Sequence, residues 1–454
     1  MFFLPLRKKV EEREGFPVYG GGWPLLGHFL STAKDSLGLL RQAEKSVGQF
    51  FWLNNGFGVT NLVITHPDAF TVFRNRGTTS THMTEFADDF LGKSLIVHDG
   101  APHARMRGAM NGPFTPKGLS GTELGPMMAE VIEERLKSWT PGRDITILHE
   151  ARELTLNVLF RMIGAPAEEL SQWRHHYSEF MLTLIPPKIK FPGLPAWRAA
   201  RAKVWLDKKL TALIEEVRRN PRPNTMLTQL VHAKDENGEG LGERELLDNL
   251  RLLVLAGHET TASTMAWMTV VLGRNPALWD RLVAEAMAGE GVPRTPKDLK
   301  NFPVAEAIFR EALRLHPPVT GDGRRVNGDF SVAGRKIPIG TDITIPVMLL
   351  SRNPEMYPNP DVFDVDRWIN KKESISPLEL IQFGGGPHFC LGYHVAWMES
   401  VQFAVALARQ LGPKGQRPLH EGDFPAMRYL PLLHPDPKTR ITIQQLPNAG
   451  ALQS

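Results

Sequence analysis

The spacing of apolar and polar residues predicts a mainly helical chain with a small β portion. Over residues 102–273 apolar residues recur every three or four positions, most clearly at 131–139 and 152–163, and this spacing favours amphipathic helices. Two shorter runs, 49–52 and 59–65, are rich in Phe, Val and Ile and are bounded by Gly and Asn, which is typical of strands. We therefore expect short strands among the helices of the N-terminal part and mainly helices after it.

The longest predicted helix covers residues 243–272, which corresponds to about 45 Å at 1.5 Å per residue. Gly273 and Pro276 follow it in the order that usually ends a helix. The segment 180–197 is apolar but rich in proline, so it cannot form a single helix. The remaining predicted elements are a helix at 303–315, short strands over 324–348, a loop over 353–377 and a last helix at 391–411.

Composition narrows the class of protein. The chain has 454 residues, of which 42% are hydrophobic and 22% are charged, an ordinary globular balance. Its net charge of +4 comes without a block of Lys and Arg, so nothing indicates nucleic-acid binding. The apolar run at residues 1–6 is interrupted by Pro5 and is much shorter than the roughly 20 residues of a membrane span. We expect a soluble, cytoplasmic protein without a transmembrane anchor.

The one cysteine of the chain, Cys390, lies in a glycine-rich stretch just before the last apolar helix. A single thiol excludes an intramolecular disulfide and a zinc site made of cysteines alone. The three glycines at 384–386 allow backbone angles closed to other residues and a close approach to a flat group. Amide N–H groups around a sulfur stabilise its thiolate, so this stretch suits a cysteinate bound to the iron of a large cofactor. The alternative is an unligated cysteine in a turn.

This stretch resembles the haem-binding loop of cytochrome P-450 enzymes, whose pattern is Phe-x-x-Gly-x-Arg-x-Cys-x-Gly. Phe383, Gly386, Cys390 and Gly392 match that pattern, and His388 takes the place of the arginine. The resemblance implies an α+β cytochrome P-450 fold, a single large catalytic domain shaped like a triangular prism. Haem b would lie between the long central helix and the helix after the cysteine. The implied organisation is an N-terminal extension at 1–19, the catalytic domain at 20–443 and a C-terminal tail at 444–454.

The resemblance also implies a set of haem contacts. Cys390 would be the iron ligand, and the sequence leaves open whether His388 contacts a haem propionate. Contacts are implied as well for the residues that share the loop or face it from the long helix, which are Phe383, Gly384, Gly392 and Ala256.

Inside the long helix, residues 256–261 read Ala-Gly-His-Glu-Thr-Thr. A glycine in mid-helix costs about 1 kcal/mol, and threonine hydroxyls compete for the backbone, so this composition favours a local groove. The stretch is similar to the family's oxygen-activation motif. That similarity implies that Thr260 supplies a hydrogen bond at dioxygen and that Glu259 relays protons from solvent. The alternative is a bent core helix with a solvated glutamate.

Charged residues further along the chain also match family positions. Glu311 and Arg314 lie three residues apart on one helical face, and the resemblance adds Arg367 to form a structural network that holds the loop approaching Cys390. His103 and Arg107, one turn apart, suit a carboxylate and would hold a haem propionate; the alternative is a solvated basic helix face. Arg324 is a further predicted propionate contact, with Arg325 adjacent to it.

The substrate pocket can be placed only by family position. The candidate residues are largely apolar, which favours a neutral or amphiphilic substrate such as a terpenoid, a steroid or a fatty acid. The alternative is that they are ordinary core residues. The candidates are Phe90, Phe180, Leu184, Val319 and Leu432.

These inferences predict a monomeric, haem-dependent monooxygenase that uses O2. Its electrons would come from NAD(P)H through a separate ferredoxin or flavodoxin with its reductase, because the chain ends soon after the last motif. Two alternatives remain open. One is an isomerase, dehydratase or peroxygenase of the same fold that needs no external electrons, and Glu259 with Thr260 argues against it. The other is a non-catalytic haem protein that senses or stores a ligand.

Overall fold

The structure, a computed structural model, describes residues 11–81, 91–184, 189–221, 225–235, 237–430 and 432–447. Within these ranges no helix is long and apolar enough to cross a membrane. The α-helices are α1 (Phe29–Val47), α2 (Gly100–Asn111), α3 (Pro116–Ser120), α4 (Leu124–Leu136), α5 (Ile147–Met162), α6 (Leu170–Met181), α7 (Pro195–Arg219), α8 (Met226–His232), α9 (Glu243–Arg274), α10 (Pro276–Ala288), α11 (Pro303–Leu315), α12 (Val347–Leu350), α13 (Asp366–Ile369) and α14 (Tyr393–Leu411). Short 3-10 helices lie at Pro67–Arg74, Leu95–Val97, Gly112–Phe114, Ala167–Glu169, Leu182–Leu184, Asp298–Asn301, Pro377–Phe383, Gly386–His388 and Gly412–Lys414.

The strands are short and form small sheets beside the helices. The strands are β1 (Glu12–Arg13), β2 (Phe16–Pro17), β3 (Phe50–Gly56), β4 (Val59–Ile64), β5 (Thr78–Thr79), β6 (Asp144–Thr146), β7 (Asp322–Val326), β8 (Ser331–Val332), β9 (Arg335–Lys336), β10 (Asp342–Ile345), β11 (Gln416–Leu419), β12 (Met427–Arg428), β13 (His434–Pro435) and β14 (Arg440–Gln445). The five-stranded sheet has the order β3-β4-β10-β7-β5, and a three-stranded sheet has the order β11-β14-β6. In the five-stranded sheet β10 runs parallel to β4 and antiparallel to β7.

The predicted α+β class is confirmed, and so are most predicted elements. Helix α11 has the predicted bounds, and the predicted strands near the N-terminus are β3 and β4. The loop predicted over 353–377 contains the single turn α13. Helix α6 ends at Met181 and α7 begins at Pro195, so the segment 180–197 is not one helix.

The end of the long helix α9 differs from the prediction. Gly273 lies inside the helix, which continues to Arg274. The helix ends at Asn275, which is also the N-cap of α10. The Asn275 side-chain oxygen accepts a hydrogen bond from Leu278 N at 3.0 Å, and Pro276 takes the first helical position of α10. A Cβ on Gly273 would lie 2.9 Å from the backbone nitrogen of His420. The glycine therefore allows the chain after β11 to approach the helix closely and does not cap it.

Helix α9 is the centre of the main hydrophobic core. It packs against α5, α11 and α14 and is buried continuously from Thr261 to Gly273. Gly257 faces α5, where a Cβ would lie 3.1 Å from the Leu159 side chain. The helix continues unbroken through the motif at 256–261. The mid-helix glycine thus serves close packing between two helices.

The packed unit extends past both predicted domain boundaries. Phe16 of β2 is buried, and Tyr19 N donates to Trp52 O at 2.9 Å, so residues before position 20 are part of the fold. Strand β14 pairs with β11 up to Gln445. Residues on both sides of the bounds 20 and 443 therefore make ordered backbone contacts, and the bounds themselves stay a prediction.

Candidate active site

A cavity of about 440 Å³ lies between α9, α11, β7 and the bend that precedes α14. Cys390 faces it from the bend, and Ala256 and Thr260 face it from α9. Apolar side chains supply much of the remaining wall. The other predicted site residues that line this cavity are Val319, Arg324, Phe383, Gly384 and His388.

The bend presents the Cys390 thiol to the cavity. Cys390 N donates to Phe383 O at 2.8 Å, which closes the turn, and α14 begins three residues later. Burial raises the pKa of the thiol, while the backbone N–H of Gly392 and the positive charge of Arg107 act in the opposite direction. The two opposing groups are those that would stabilise a thiolate ligand.

The glycines of the bend have separate roles. Gly384 adopts φ +72° and lines the cavity. Gly386 adopts φ +59°, and a Cβ there would overlap the carbonyl of Phe73. Gly384 therefore faces the cavity, whereas Gly385 and Gly386 pack against the turn at 67–74. The approach of these glycines to a flat group stays a prediction.

Helix α2 contacts the bend through one face. Arg107 Nη1 donates to Phe389 O at 2.6 Å, and the ring of His103 lies against the ring of His388 with centroids 4.2 Å apart. Burial, followed by the charge of His388, lowers the pKa of His103 to about 4. His103 and Arg107, predicted as propionate contacts, thus contact the two residues that precede Cys390.

His388 and Arg324 are the basic side chains among the described residues that line the cavity. His388 Nε2 lies 2.8 Å from Asp99 Oδ1. Arg324 Nη1 donates to Asp322 Oδ1 at 2.8 Å. Arg325 instead points to Asp342, at 2.7 Å, on the opposite face of β7. Strand alternation therefore resolves the choice between the two adjacent arginines in favour of Arg324.

On α9 the predicted acid and alcohol point in different directions. Thr260 Oγ1 donates to Ala256 O at 2.5 Å and lines the cavity. Glu259 is buried, and its Oε2 accepts from Arg152 of α5 at 2.9 and 3.1 Å. Arg152 is a residue that the sequence did not indicate. No local sequence motif could indicate this pair, because Arg152 and Glu259 lie 107 positions apart in the chain.

The predicted charge network is assembled around Glu311. Both side chains of the central pair are fully buried, and Arg314 donates to the two Glu311 oxygens at 2.7 and 2.8 Å. Arg367 Nε lies 3.4 Å from Glu311 Oε1. Trp368 Nε1 and Asp364 N add donors to Glu311 at 2.8 and 3.0 Å.

Arg314 links this pair to the chain that leads toward the bend. Its guanidinium donates to the carbonyls of Ser351, Pro360 and Val362 at 3.1, 2.6 and 3.1 Å. Every polar atom of the pair therefore has a partner, which is the condition under which a buried ion pair is tolerated.

The structure places the predicted substrate residues in different regions of the protein. Val319 lines the cavity at Cys390. Phe180 is buried at a different cavity, beside Lys203 and Asp248. Leu432 is half-buried and is not among the described residues that line the Cys390 cavity. Phe90 and the side chain of Leu184 lie outside the described part of the structure.

The residues of the cavity fit a haem group. A single thiol faces a cavity that is also lined by two basic side chains, Arg324 and His388, which are suited to carboxylates. Among the described residues no group of three or more His, Cys, Asp or Glu could hold a bare metal ion. A lone cysteine ligand suits an iron whose other ligands come from a macrocycle.

Comparisons with known proteins agree with this fit. The sequence model described as cytochrome P-450 matches residues 17–411. The chain is 38% identical over 438 residues to the cytochrome P-450 BJ-4 homolog of Sinorhizobium fredii, covering 96% of this chain and 98% of that protein. It is 31% identical over 339 residues to cyclooctat-9-en-7-ol 5-monooxygenase of Streptomyces melanosporofaciens, covering 71% and 73% of the two. A solved structure of cyanobacterial CYP120A1 with retinoic acid bound has a TM-score of 0.81 at 24% identity, covering 95% of this chain and 99% of that chain.

Proposed function

Because the chain belongs to the cytochrome P-450 family and is a haem monooxygenase, we propose that it inserts one oxygen atom of O2 into a C–H or C=C bond of a small, largely apolar molecule. We propose a terpenoid, steroid or fatty-acid-like substrate, and electrons delivered from NAD(P)H by a separate ferredoxin or flavodoxin with its reductase. The relative named for its action on cyclooctat-9-en-7-ol supports a substrate of this kind, because that name describes an unsaturated alcohol.

The lining of the cavity is the observation that carries the substrate class. Ile96, Leu313, Val319 and Val347 supply apolar surface. Among the described lining residues, Asp322 and Arg324 pair with each other at 2.8 Å, and the two basic groups, Arg324 and His388, are assigned to the haem carboxylates. No charge among these residues is therefore left to neutralise an ionised substrate, and burying an unpaired charge is costly.

The protein's part in the chemistry begins with holding the cofactor. Cys390 would ligate the iron, and Arg324 and His388 would bind the haem carboxylates. Bound haem with a thiolate ligand supplies the activation of dioxygen. Burial raises the pKa of the Cys390 thiol, and the N–H of Gly392 and the charge of Arg107 oppose that effect and favour the anionic form.

Thr260 and Glu259 of α9 would transfer protons from solvent to the cavity. The Thr260 hydroxyl donates its proton to a hydrogen bond with Ala256 O, so its oxygen can accept a hydrogen bond from a donor in the cavity. The Glu259 carboxylate is held by Arg152, whose side chain is 31% exposed and so links the pair to solvent. We propose that Glu259 takes up a proton at this link, turns away from Arg152 and donates the proton to Thr260 Oγ1. The Thr260 hydroxyl then turns from Ala256 O and releases its own proton into the cavity, so that each proton received is matched by one given up.

Replacing Thr260 with valine is expected to uncouple the reaction. The substitution keeps the side-chain shape and removes the hydroxyl, so NAD(P)H consumption should continue. Product per NAD(P)H should fall roughly tenfold or more, with the missing electrons recovered as hydrogen peroxide. Paired measurements of product, peroxide and NAD(P)H check this result.

Thr269→Val is the matched control for that substitution. Thr269 makes the same type of bond, to Met265 O at 2.8 Å, on the same helix but away from the described cavity wall. It should leave the coupling unchanged. Normal coupling in Thr260→Val would contradict the assigned role of the hydroxyl.

A ligand screen by Soret shift tests the substrate class. Matched pairs of terpenoid or steroid alcohols and their carboxylic acids should show shifts for the alcohols at lower concentration than for the acids. Tighter binding of the acids would refute the argument from charge without affecting the haem assignment. Turnover in the absence of O2 and reductant would instead support the isomerase or dehydratase alternative.

A further inference from the structure

Asp99 begins helix α2 but does not cap it. Aspartate is among the residues preferred at the N-cap, where its carboxylate usually accepts a hydrogen bond from a backbone N–H of the first turn. Within the described residues the Asp99 side chain makes no such bond. Its carboxylate turns instead toward the bend that carries Cys390.

The two oxygens of that carboxylate have different partners. Oδ2 accepts from Thr79 Oγ1 at 2.6 Å and from Ser80 N at 2.7 Å, which ties it to the end of β5. Oδ1 lies 2.8 Å from His388 Nε2. Burial by itself would raise the pKa of Asp99, but the bonds from His388, Thr79 and Ser80 outweigh burial and lower it. The carboxylate is therefore an anion in a fixed orientation.

The other side of the His388 ring is also held. His103, one helical turn after Asp99, lies against the ring at a centroid distance of 4.2 Å. Ser80 Oγ is a further polar neighbour, 3.2 Å from His388 Nε2. The ring is thus fixed through one nitrogen and one face, while it lines the cavity where haem would bind.

We propose that Asp99 is a positioning residue for haem, whose carboxylate holds the His388 ring in the orientation that lines the cavity. The inference rests on the family's haem chemistry and adds a residue outside the cysteine loop. An arginine at position 388 would have several donors and a long side chain, whereas a histidine has a short one with two nitrogens. A histidine at this position therefore depends on a neighbour to set its direction.

The test measures the rate at which holoprotein loses haem to an excess of apomyoglobin. Asp99→Asn should release haem about tenfold faster than the wild type, since a hydrogen bond to a charged group is lost. Asp99→Ser, which places another preferred N-cap residue at the helix start, should give the same acceleration with normal folding. Wild-type haem content and the carbon monoxide spectrum are recorded first, so that a failure of the haem assignment itself is recognised separately.

Two further measurements separate positioning from a structural effect. In a His388→Phe background, Asp99→Asn should add no further acceleration, because Asp99 acts through the missing ring; additive effects would overturn the proposal. In the reduced carbon monoxide complex labelled with 15N-histidine, the signals of the His388 ring are assigned as those missing from His388→Phe. Asp99→Asn should change the chemical shifts of these signals. Unchanged His388 signals, or haem loss at the wild-type rate in both Asp99 variants, would refute it.

A cap substitution elsewhere provides the control. Thr115 caps α3 by accepting from Gly118 N at 3.0 Å. Thr115→Ala should lower the stability of the protein while leaving the rate of haem loss and the His388 signals unchanged. A Thr115→Ala protein that loses haem as fast as Asp99→Asn would show that a weakened helix start is sufficient, against the proposal.

Discussion

Cys390→Ser is expected to abolish monooxygenase activity and the red-shifted absorption band of the reduced, carbon-monoxide-treated protein. Cys390 is the one thiol of the chain, and it faces the cavity from a bend closed by the bond from Cys390 N to Phe383 O. A serine hydroxyl does not ionise under these conditions and cannot supply the electron density of a thiolate. Difference spectroscopy of the purified variant, with haem quantified separately, checks the result.

Two companion variants separate loss of the ligand from loss of haem. Cys390→His should retain haem through a neutral imidazole but lack the red-shifted band. Ser400→Ala alters the same cavity wall without touching the ligand and should keep the band. A red-shifted band in Cys390→Ser would show that another group ligates the iron.

Glu311→Ala and Arg314→Ala are each expected to give a protein that is nearly free of haem. Each leaves one fully buried charge without its partner, which typically costs about 3–5 kcal/mol. Since a domain is stable by only about 5–15 kcal/mol, this loss releases the chain around Pro360 and Val362 that Arg314 holds. Haem content per protein and the midpoint of urea unfolding of the soluble fraction measure the effect.

Arg281→Gln is the matched control for the buried pair. Arg281 forms an ion pair with Asp366 at 2.7 Å, close to Arg367 in the chain, but both of its side chains are nearly half exposed. Breaking an exposed pair should cost about 0–1 kcal/mol and leave haem content normal. If Glu311→Ala also kept normal haem content, the network would not be needed to form the site.

The parts of the site that could be predicted from the sequence are those encoded by a continuous stretch of chain. The loop around Cys390, the segment 256–261 and the pair Glu311–Arg314 each lie within one local motif. Helix spacing also placed α11 with its correct ends. Local geometry determines these features, because turns, helix faces and i, i+3 pairs depend on neighbours in sequence.

Other features depended on contacts between distant segments. From the sequence Gly273 was expected to end the helix. In the structure its missing side chain lets the backbone near His420 approach α9 closely. Phe180 is buried at a second cavity, because α6 and α7 direct it there. Periodicity shows that a residue is buried but not which cavity or neighbour it faces.

The amino-acid sequence by itself determined the class of fold, the cysteine that faces the cofactor cavity and the residue types around it. Only the tertiary structure decided which side chains meet around the site: Asp99 with His388, and Arg152 with Glu259. It also directed Arg324, rather than Arg325, into the cavity. The physical reason is that a hydrogen bond acts over about 3 Å, whereas the partners lie up to 289 positions apart in the chain. Such pairs exist only after the helices and sheets have packed together.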